Sequence, residues 1–107
     1  MDQNNYQQFA LSTADPCAND PLYLACAICE EAGEAAGKVK KVIRDYGGQF
    51  NSARRHDVAM ELSDLLWYVA NQAHLMGYTL SEIAEMNREK VCGRIKRGTL
   101  HGEGDNR

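Results

Sequence analysis

The segment Pro21–Tyr46, PLYLACAICEEAGEAAGKVKKVIRDY, decides the fold. It begins with Asp20-Pro21, a pair that is typical of a helix N-cap followed by proline at the first helical position. It ends at Gly47-Gly48. Its apolar residues recur at spacings of three and four: Ala25, Ile28, Ala32, Ala35, Val39 and Val42. Because this is the period of one face of an α-helix, the segment predicts a single long helix.

Three further helices are predicted around this one. A weak first helix covers residues 3–14, and a third covers about residues 52–76. The apolar stripe of the third also steps by three or four: Val58, Leu62, Leu65, Val69, Ala73 and Met76. A fourth helix opens with a capping box, Thr79-x-x-Glu82, and continues to about Arg97. No long strand pattern is present, so the sequence predicts an all-α, compact, four-helix bundle-like domain.

The length of 107 residues allows one domain. We expect an N-terminal helix and linker over about residues 1–20, a helical core over 21–97 and a mobile tail over 98–107. Small residues, chiefly alanine, dominate the stripe of the second helix and fill little volume. We therefore expect the bundle to complete its burial by self-association.

The composition excludes several classes of protein. A chain that is 44% hydrophobic and 25% charged is not expected to be disordered. No stretch approaches the roughly 18 apolar residues of a membrane span. The start carries no secretory signal pattern, so we expect a cytoplasmic location with reduced cysteines. The formal net charge of −3 argues against a general nucleic-acid binder.

Two pairs of carboxylates border the apolar stripes. Glu31 and Glu34 on the second helix are three residues apart, as are Glu61 and Asp64 on the third. Side chains at this spacing point the same way. Each pair begins one residue before a stripe position, which places it at the border of the core and not on the opposite, fully solvated side.

Packing the two helices together could gather all four carboxylates. Four like charges in a partly dry groove raise one another's pKa unless a cation compensates them. Oxygen ligands favour Mg²⁺, with Mn²⁺ as a substitute, over zinc. One pair alone is more often a solvated acidic face. Two pairs on consecutive helices favour a metal site.

The fourth helix carries a basic face. Asn87, Lys90 and Arg94 step by three and four, and the two cations suit phosphate groups. Basic residues near a helix C-terminus also complement the helix dipole without any ligand. An acidic cluster followed by this face fits the chemistry of a magnesium-bound triphosphate.

The motif Glu30–Glu34 (EEAGE), followed after 26 residues by Glu61–Asp64 (ELSD), resembles the EExxE…ExxD signature of the MazG-like, all-α nucleoside triphosphate pyrophosphohydrolases. The segment Asn87–Arg94 resembles the part of the family that follows this signature. The resemblance covers about residues 22–97. It implies an enzyme that cuts NTPs or dNTPs between the α and β phosphates, releasing a monophosphate and pyrophosphate.

The resemblance also implies a homo-oligomer. The chain lacks the extra helices of the dimeric dUTPase branch, so we favour a tetramer with sites between subunits over a dimer. Carried over by motif position, the magnesium ligands are Glu31, Glu34, Glu61 and Asp64. Glu31 or Glu34 is also the candidate to take a proton from the attacking water. Glu30 is expected only to orient this set.

On the substrate side, the resemblance implies phosphate contacts from Lys90 and Arg94, a supporting role for Asn87 and an aromatic contact from Tyr68. Trp67 has two interpretations, stacking on the base and burial at a subunit interface. Two alternative functions stay open. One is hydrolysis of phosphoribosyl-ATP or another modified nucleotide, and the other is a non-catalytic helical oligomerisation or regulatory module.

Overall fold

The computed structural model describes residues 1–107. It contains four α-helices and a short 3₁₀ helix: α1 (Gln3–Ser12), the 3₁₀ helix (Pro16–Asn19), α2 (Pro21–Tyr46), α3 (Ser52–Leu75) and α4 (Leu80–Arg97). No strand is present, so the predicted all-α class is confirmed. None of the helices combines the length and the apolar character that a membrane crossing requires.

The caps fix the boundaries of α2 and the start of α4 where the sequence predicted them, whereas α1 ends at Ser12, two residues before the predicted end. The Asp20 carboxylate accepts a hydrogen bond of 2.9 Å from the backbone N–H of Leu22 and caps α2. Gly47 ends α2 with φ of 60°, a left-handed conformation that glycine adopts without steric cost. At α4, Thr79 and Glu82 form the reciprocal capping box through two bonds of 3.1 Å.

The helices α2 and α3 pack against each other along a hairpin and form the largest contact in the chain. The 3₁₀ helix touches both of them, and α1 lies against α3. The last helix, α4, packs on α1 and α3 and does not touch α2. The groove between α2 and α3 therefore stays uncovered by α4.

The buried core is small and lies where α1, α3 and α4 meet. Its buried members are Ala10, Ala70, Ala73 and Leu80. A glutamine joins the same elements. Gln7 is 2% exposed, donates to the carbonyls of Ala70 and Tyr78 at 3.1 Å each, and accepts from the N–H of Leu80 at 3.2 Å. The amide thus satisfies backbone groups on two other parts of the chain.

The packing is more open than the expected compact bundle. The radius of gyration is 16.5 Å, against about 13 Å for a compact domain of this length. Several residues of the predicted apolar stripes lie at the surface: Ala25, Ala32, Leu62 and Met76. The reason is that an apolar stripe identifies the face of a helix that favours burial. It does not show whether another part of the same chain packs against that face.

The C-terminal tail, expected to be mobile, folds back on the end of α4. The Arg107 guanidinium donates to the carbonyls of Thr99 and Leu100 at 3.1 and 3.0 Å. Arg94 donates to the carbonyl of Asp105 at 2.9 Å. These bonds end on backbone carbonyls, which every sequence offers, so composition alone could not reveal them.

Candidate metal and nucleotide site

Carboxylates from both helices of the hairpin meet in the α2–α3 groove. Oxygens of Glu31, Glu61 and Asp64 lie within 4.8 Å of one another, and so do oxygens of Glu30, Glu31 and Glu34. Glu31 belongs to both groups and stands at the centre. The structure therefore brings the four predicted metal ligands into one carboxylate cluster, Glu31, Glu34, Glu61 and Asp64. Their role as ligands stays a prediction.

The environment of the carboxylate cluster raises the pKa of two of its members, Glu31 and Glu61. Burial and then the charge of Asp64 raise the pKa of Glu31, while the neighbouring Glu34 side chain acts in the opposite direction. Burial, the neighbouring Glu34 side chain and the charge of Asp64 also raise the pKa of Glu61. The only salt bridge at the cluster joins Lys38 Nζ to Glu61 Oε1 at 3.9 Å. One lysine leaves most of the negative charge uncompensated.

One oxygen of the carboxylate cluster has no partner. Glu31 Oε2 is buried and accepts no hydrogen bond in the chain. A buried, unpaired carboxylate oxygen is costly because it has lost its hydration without a replacement. A divalent cation would supply that replacement, and an all-oxygen donor set suits a hard ion. The residues present thus fit a divalent metal.

Two aromatic side chains border the carboxylate cluster. A cavity of about 420 Å³ is lined by Glu31, Asp64, Trp67 and Tyr68. The rings of Trp67 and Tyr68, the aromatic pair, meet edge to face with their centres 5.0 Å apart. Trp67 Nε1 donates to Thr13 Oγ1 at 2.9 Å, which fixes the indole against the end of α1. Burial raises the pKa of Tyr68, so its phenol stays protonated and can donate a hydrogen bond.

The predicted basic face lies on α4, which contacts α3 but not α2, the helix that carries Glu31 and Glu34. Asn87 and Lys90 lie exposed on α4, which does not touch α2. Arg94 is 8% exposed and is held beneath the tail through its bond to Asp105. The phosphate contact expected of Arg94 stays a prediction. Helical spacing placed these three residues on one face but could not tell which element that face would meet.

The comparisons with known proteins agree with the geometry of the groove. A model of the MazG nucleotide pyrophosphohydrolase domain matches residues 20–99. The chain belongs to this family. It is also similar to "Gene 37 protein" of Mycobacterium phage L5, with 41% identity over 85 residues, which are 79% of this chain and 75% of that protein. No solved structure matches the chain.

Sequence reasoning missed one residue at the centre of this MazG domain, Lys38. Its ammonium lies beside Glu61 and is the one cation that contacts the carboxylate cluster. The signal was present, because Lys38 follows Glu34 by four residues and so shares its face of α2. Glu30, expected only to orient the cluster, has an oxygen within 4.8 Å of both Glu31 and Glu34.

Proposed function

We propose that this MazG domain is a Mg²⁺-dependent nucleotide pyrophosphohydrolase. It cleaves the α–β phosphoanhydride of NTPs or dNTPs and cleans the cytoplasmic nucleotide pool. The observation that carries the proposal is the convergence of Glu31, Glu61 and Asp64 within 4.8 Å, with Glu31 Oε2 buried and unpaired. The ligands of the ion are the four residues of the carboxylate cluster, and Mn²⁺ is the expected substitute.

In this proposal, the residues around the groove activate the attacking water and bind the substrate. When bound, a divalent ion neutralises phosphate charge and lowers the pKa of a bound water. Glu31 or Glu34 takes the proton of the attacking water. The protonated phenol of Tyr68 donates a hydrogen bond to the substrate.

We assign the nucleoside end of the substrate to the aromatic pair. Trp67 and Tyr68 line the same cavity as two residues of the carboxylate cluster, so a base there lies beside the metal-bound phosphates. The bond from Trp67 to Thr13 holds the indole in place before substrate arrives. Stacking of a base on such a ring contributes about 1–3 kcal/mol.

The proposed activity is tested by incubating the purified protein with each common NTP and dNTP, with Mg²⁺ or with chelator. We expect metal-dependent release of pyrophosphate and monophosphate in equal amounts. Release of inorganic phosphate without pyrophosphate would mean that another bond is cut and would contradict the proposal. If no common nucleotide is hydrolysed, a calorimetric Mg²⁺ titration separates an enzyme for modified nucleotides, which binds the ion, from a regulatory module, which does not.

We further propose that the domain works as a homo-oligomer, with a tetramer favoured over a dimer. Leu62 and Leu66 lie on one face of α3 and are 51% and 45% exposed. Leu66 also lines an apolar cavity of about 520 Å³ together with Val69 and Ile83. A second copy seated on this face would bury these side chains, and assembly would allow the basic face of another copy's α4 to approach the groove.

The oligomer is tested by light scattering on the wild type and on Leu62→Lys. We expect a mass of several chains for the wild type. We expect a shift towards the monomer for the variant, because a charge buried at an apolar interface is strongly unfavourable. Helical content measured by circular dichroism controls for unfolding. A monomeric wild type at micromolar concentration would contradict the proposal.

A further inference from the structure

A second cavity adjoins the carboxylate cluster on the side away from the aromatic pair. It has a volume of about 390 Å³ and lies between the C-terminal half of α2 and the first turns of α3. Four charged side chains line it, and we call them the basic pocket: Lys38, Lys41, Arg54 and Asp57. Three cations and one carboxylate give a formal charge of plus two, directly beside a strongly acidic cluster.

We propose that the basic pocket binds the two outer phosphates of the nucleoside triphosphate, the part that leaves as pyrophosphate. This inference rests on the proposed function and extends it to residues outside the acidic motifs. The occupant is an oxyanion chain carrying several negative charges. Such a ligand is the natural complement of clustered Lys and Arg side chains.

Arg54 is held ready for such a ligand. Its Nη1 donates to the carbonyl of Gln49 at 2.8 Å, and its guanidinium carbon lies 3.5 Å from the centre of the Tyr46 ring. These two contacts fix the plane of the guanidinium. Its Nε and Nη2 make no hydrogen bond within the chain, so two donors in a rigid fork stay free for phosphate oxygens.

Lys38 connects the basic pocket to the carboxylate cluster. Its ammonium lies 3.9 Å from Glu61 Oε1, yet its side chain is 44% exposed and lines the pocket. An ion pair at this distance and exposure contributes little. Lysine has a flexible side chain and an ammonium with three hydrogen-bond donors. Lys38 can therefore bind a phosphate oxygen while its ammonium stays close to Glu61. A phosphate chain crossing from the metal to the pocket passes this residue.

The order of features along the groove matches the order of groups in the substrate. The aromatic pair lies towards the C-terminal half of α3, the carboxylate cluster in the middle and the basic pocket at the start of α3. Asp57 precedes Asp64 by two helical turns, which is about 10 Å along the helix. With the base at the aromatic pair and the α–β bond at the cluster, the outer phosphates extend into the basic pocket.

Calorimetric titration with inorganic pyrophosphate and with a nucleoside monophosphate, both in Mg²⁺ buffer, tests the inference. We expect Lys41→Gln and Arg54→Gln each to weaken pyrophosphate binding by about tenfold or more, because each removes a charge-assisted hydrogen bond. Monophosphate binding stays unchanged. Asp57→Asn is expected to tighten pyrophosphate binding, since it removes the one repulsive charge of the pocket.

The chain offers matched controls one residue away. Lys40→Gln and Arg55→Gln remove the same charges from exposed positions that do not line the basic pocket, and they should leave pyrophosphate affinity unchanged. Lys41 forms no salt bridge in the chain, so its replacement tests the pocket with little risk to folding. Melting curves of every variant verify this.

Two results would overturn the inference. One is an unchanged pyrophosphate affinity in the double variant Lys41→Gln/Arg54→Gln. The other is an equal loss of monophosphate affinity, which would place the nucleoside end in the pocket. A protein that binds pyrophosphate through these residues but hydrolyses no nucleotide would support the basic pocket and contradict the proposed hydrolysis, so the two failures are distinguishable.

Discussion

Replacing Glu61 by glutamine is expected to reduce nucleotide hydrolysis by at least about 10³-fold while the chain stays folded. Glu61 is one of the three residues whose carboxylate oxygens lie within 4.8 Å of one another. Glutamine keeps the size of the side chain but removes the negative charge that a divalent ion requires. The measurement is the steady-state rate of pyrophosphate release at saturating Mg²⁺ and nucleotide.

The control for this variant is Glu89→Gln on α4. Glu89 is exposed and lies outside the carboxylate cluster, so the same chemical change should leave the rate unaltered. Wild-type activity in Glu61→Gln would remove Glu61 from the metal site and, with it, the main support for the proposed function. A regulatory module would show only a small change in stability from either substitution.

The raised pKa of Glu61 also makes the stability of the metal-free protein depend on pH. The pKa of Glu61 is raised in the folded state above its ordinary value of 4.5, mainly by burial and the neighbouring Glu34. A carboxyl of this kind holds its proton more tightly folded than unfolded. Its contribution to stability is therefore present below pH 4.5 and is lost as the pH rises through the raised pKa.

In chelator near neutral pH, we expect Glu61→Gln to melt at a higher temperature than the wild type. Glutamine removes one of the crowded charges, and the lost pair with Lys38 is too exposed to offset that gain. With Mg²⁺ the order reverses, because the wild type is stabilised by the ion that it binds. Scanning calorimetry in the two buffers checks both orders. Identical melting temperatures throughout would show that the carboxylates neither repel one another nor share an ion.

The sequence predicted those parts of the molecule that follow from local rules. Asp20 caps the start of α2 with its carboxylate, and Gly47 ends the same helix in a left-handed conformation. Thr79 and Glu82 cap the start of α4. The meeting of Glu31 with Glu61 and Asp64 also followed. Both pairs border an apolar stripe, and two helices joined by a short turn must pack stripe against stripe.

What the sequence could not predict depends on which surfaces meet. Arg94 shares a face with Lys90, but only the fold shows that this arginine is buried under the tail, where it donates to the carbonyl of Asp105. Leu62 has the spacing of a core residue and lies half exposed. The basic pocket combines residues from α2 with residues from α3. Neither helix alone shows a sequence pattern that predicts it.

Gln7→Ala is expected to destabilise the chain by about 2 to 4 kcal/mol. The substitution removes the bonds from Gln7 to the carbonyls of Ala70 and Tyr78 and from the N–H of Leu80. Each buried backbone group left without a partner costs about 1–3 kcal/mol, and water entering the cavity recovers only part of this. For a chain of this length, the melting temperature should fall by on the order of 10 °C or more.

Gln8→Ala is the matched control, since the neighbouring residue is the same amide, exposed to solvent on the same helix. Its effect should stay within about 0.5 kcal/mol. Comparing the two by urea denaturation separates the buried bonds from helix propensity, which both substitutions change equally. Equal stability of the two variants would mean that the bonds of Gln7 contribute nothing net to holding α1 against α3 and α4.

The destabilised variant Gln7→Ala should also affect the aromatic pair and the carboxylate cluster differently. Gln7 fixes α1, and α1 is followed by Thr13, which holds the indole of Trp67. The carboxylate cluster, in contrast, depends on the α2–α3 hairpin, which α1 does not build. In the folded fraction of Gln7→Ala, we therefore expect Mg²⁺ affinity to persist while KM for the nucleotide rises, because the aromatic pair has lost its anchor. A parallel loss of both would show that the hairpin cannot keep its carboxylates in place without the first helix.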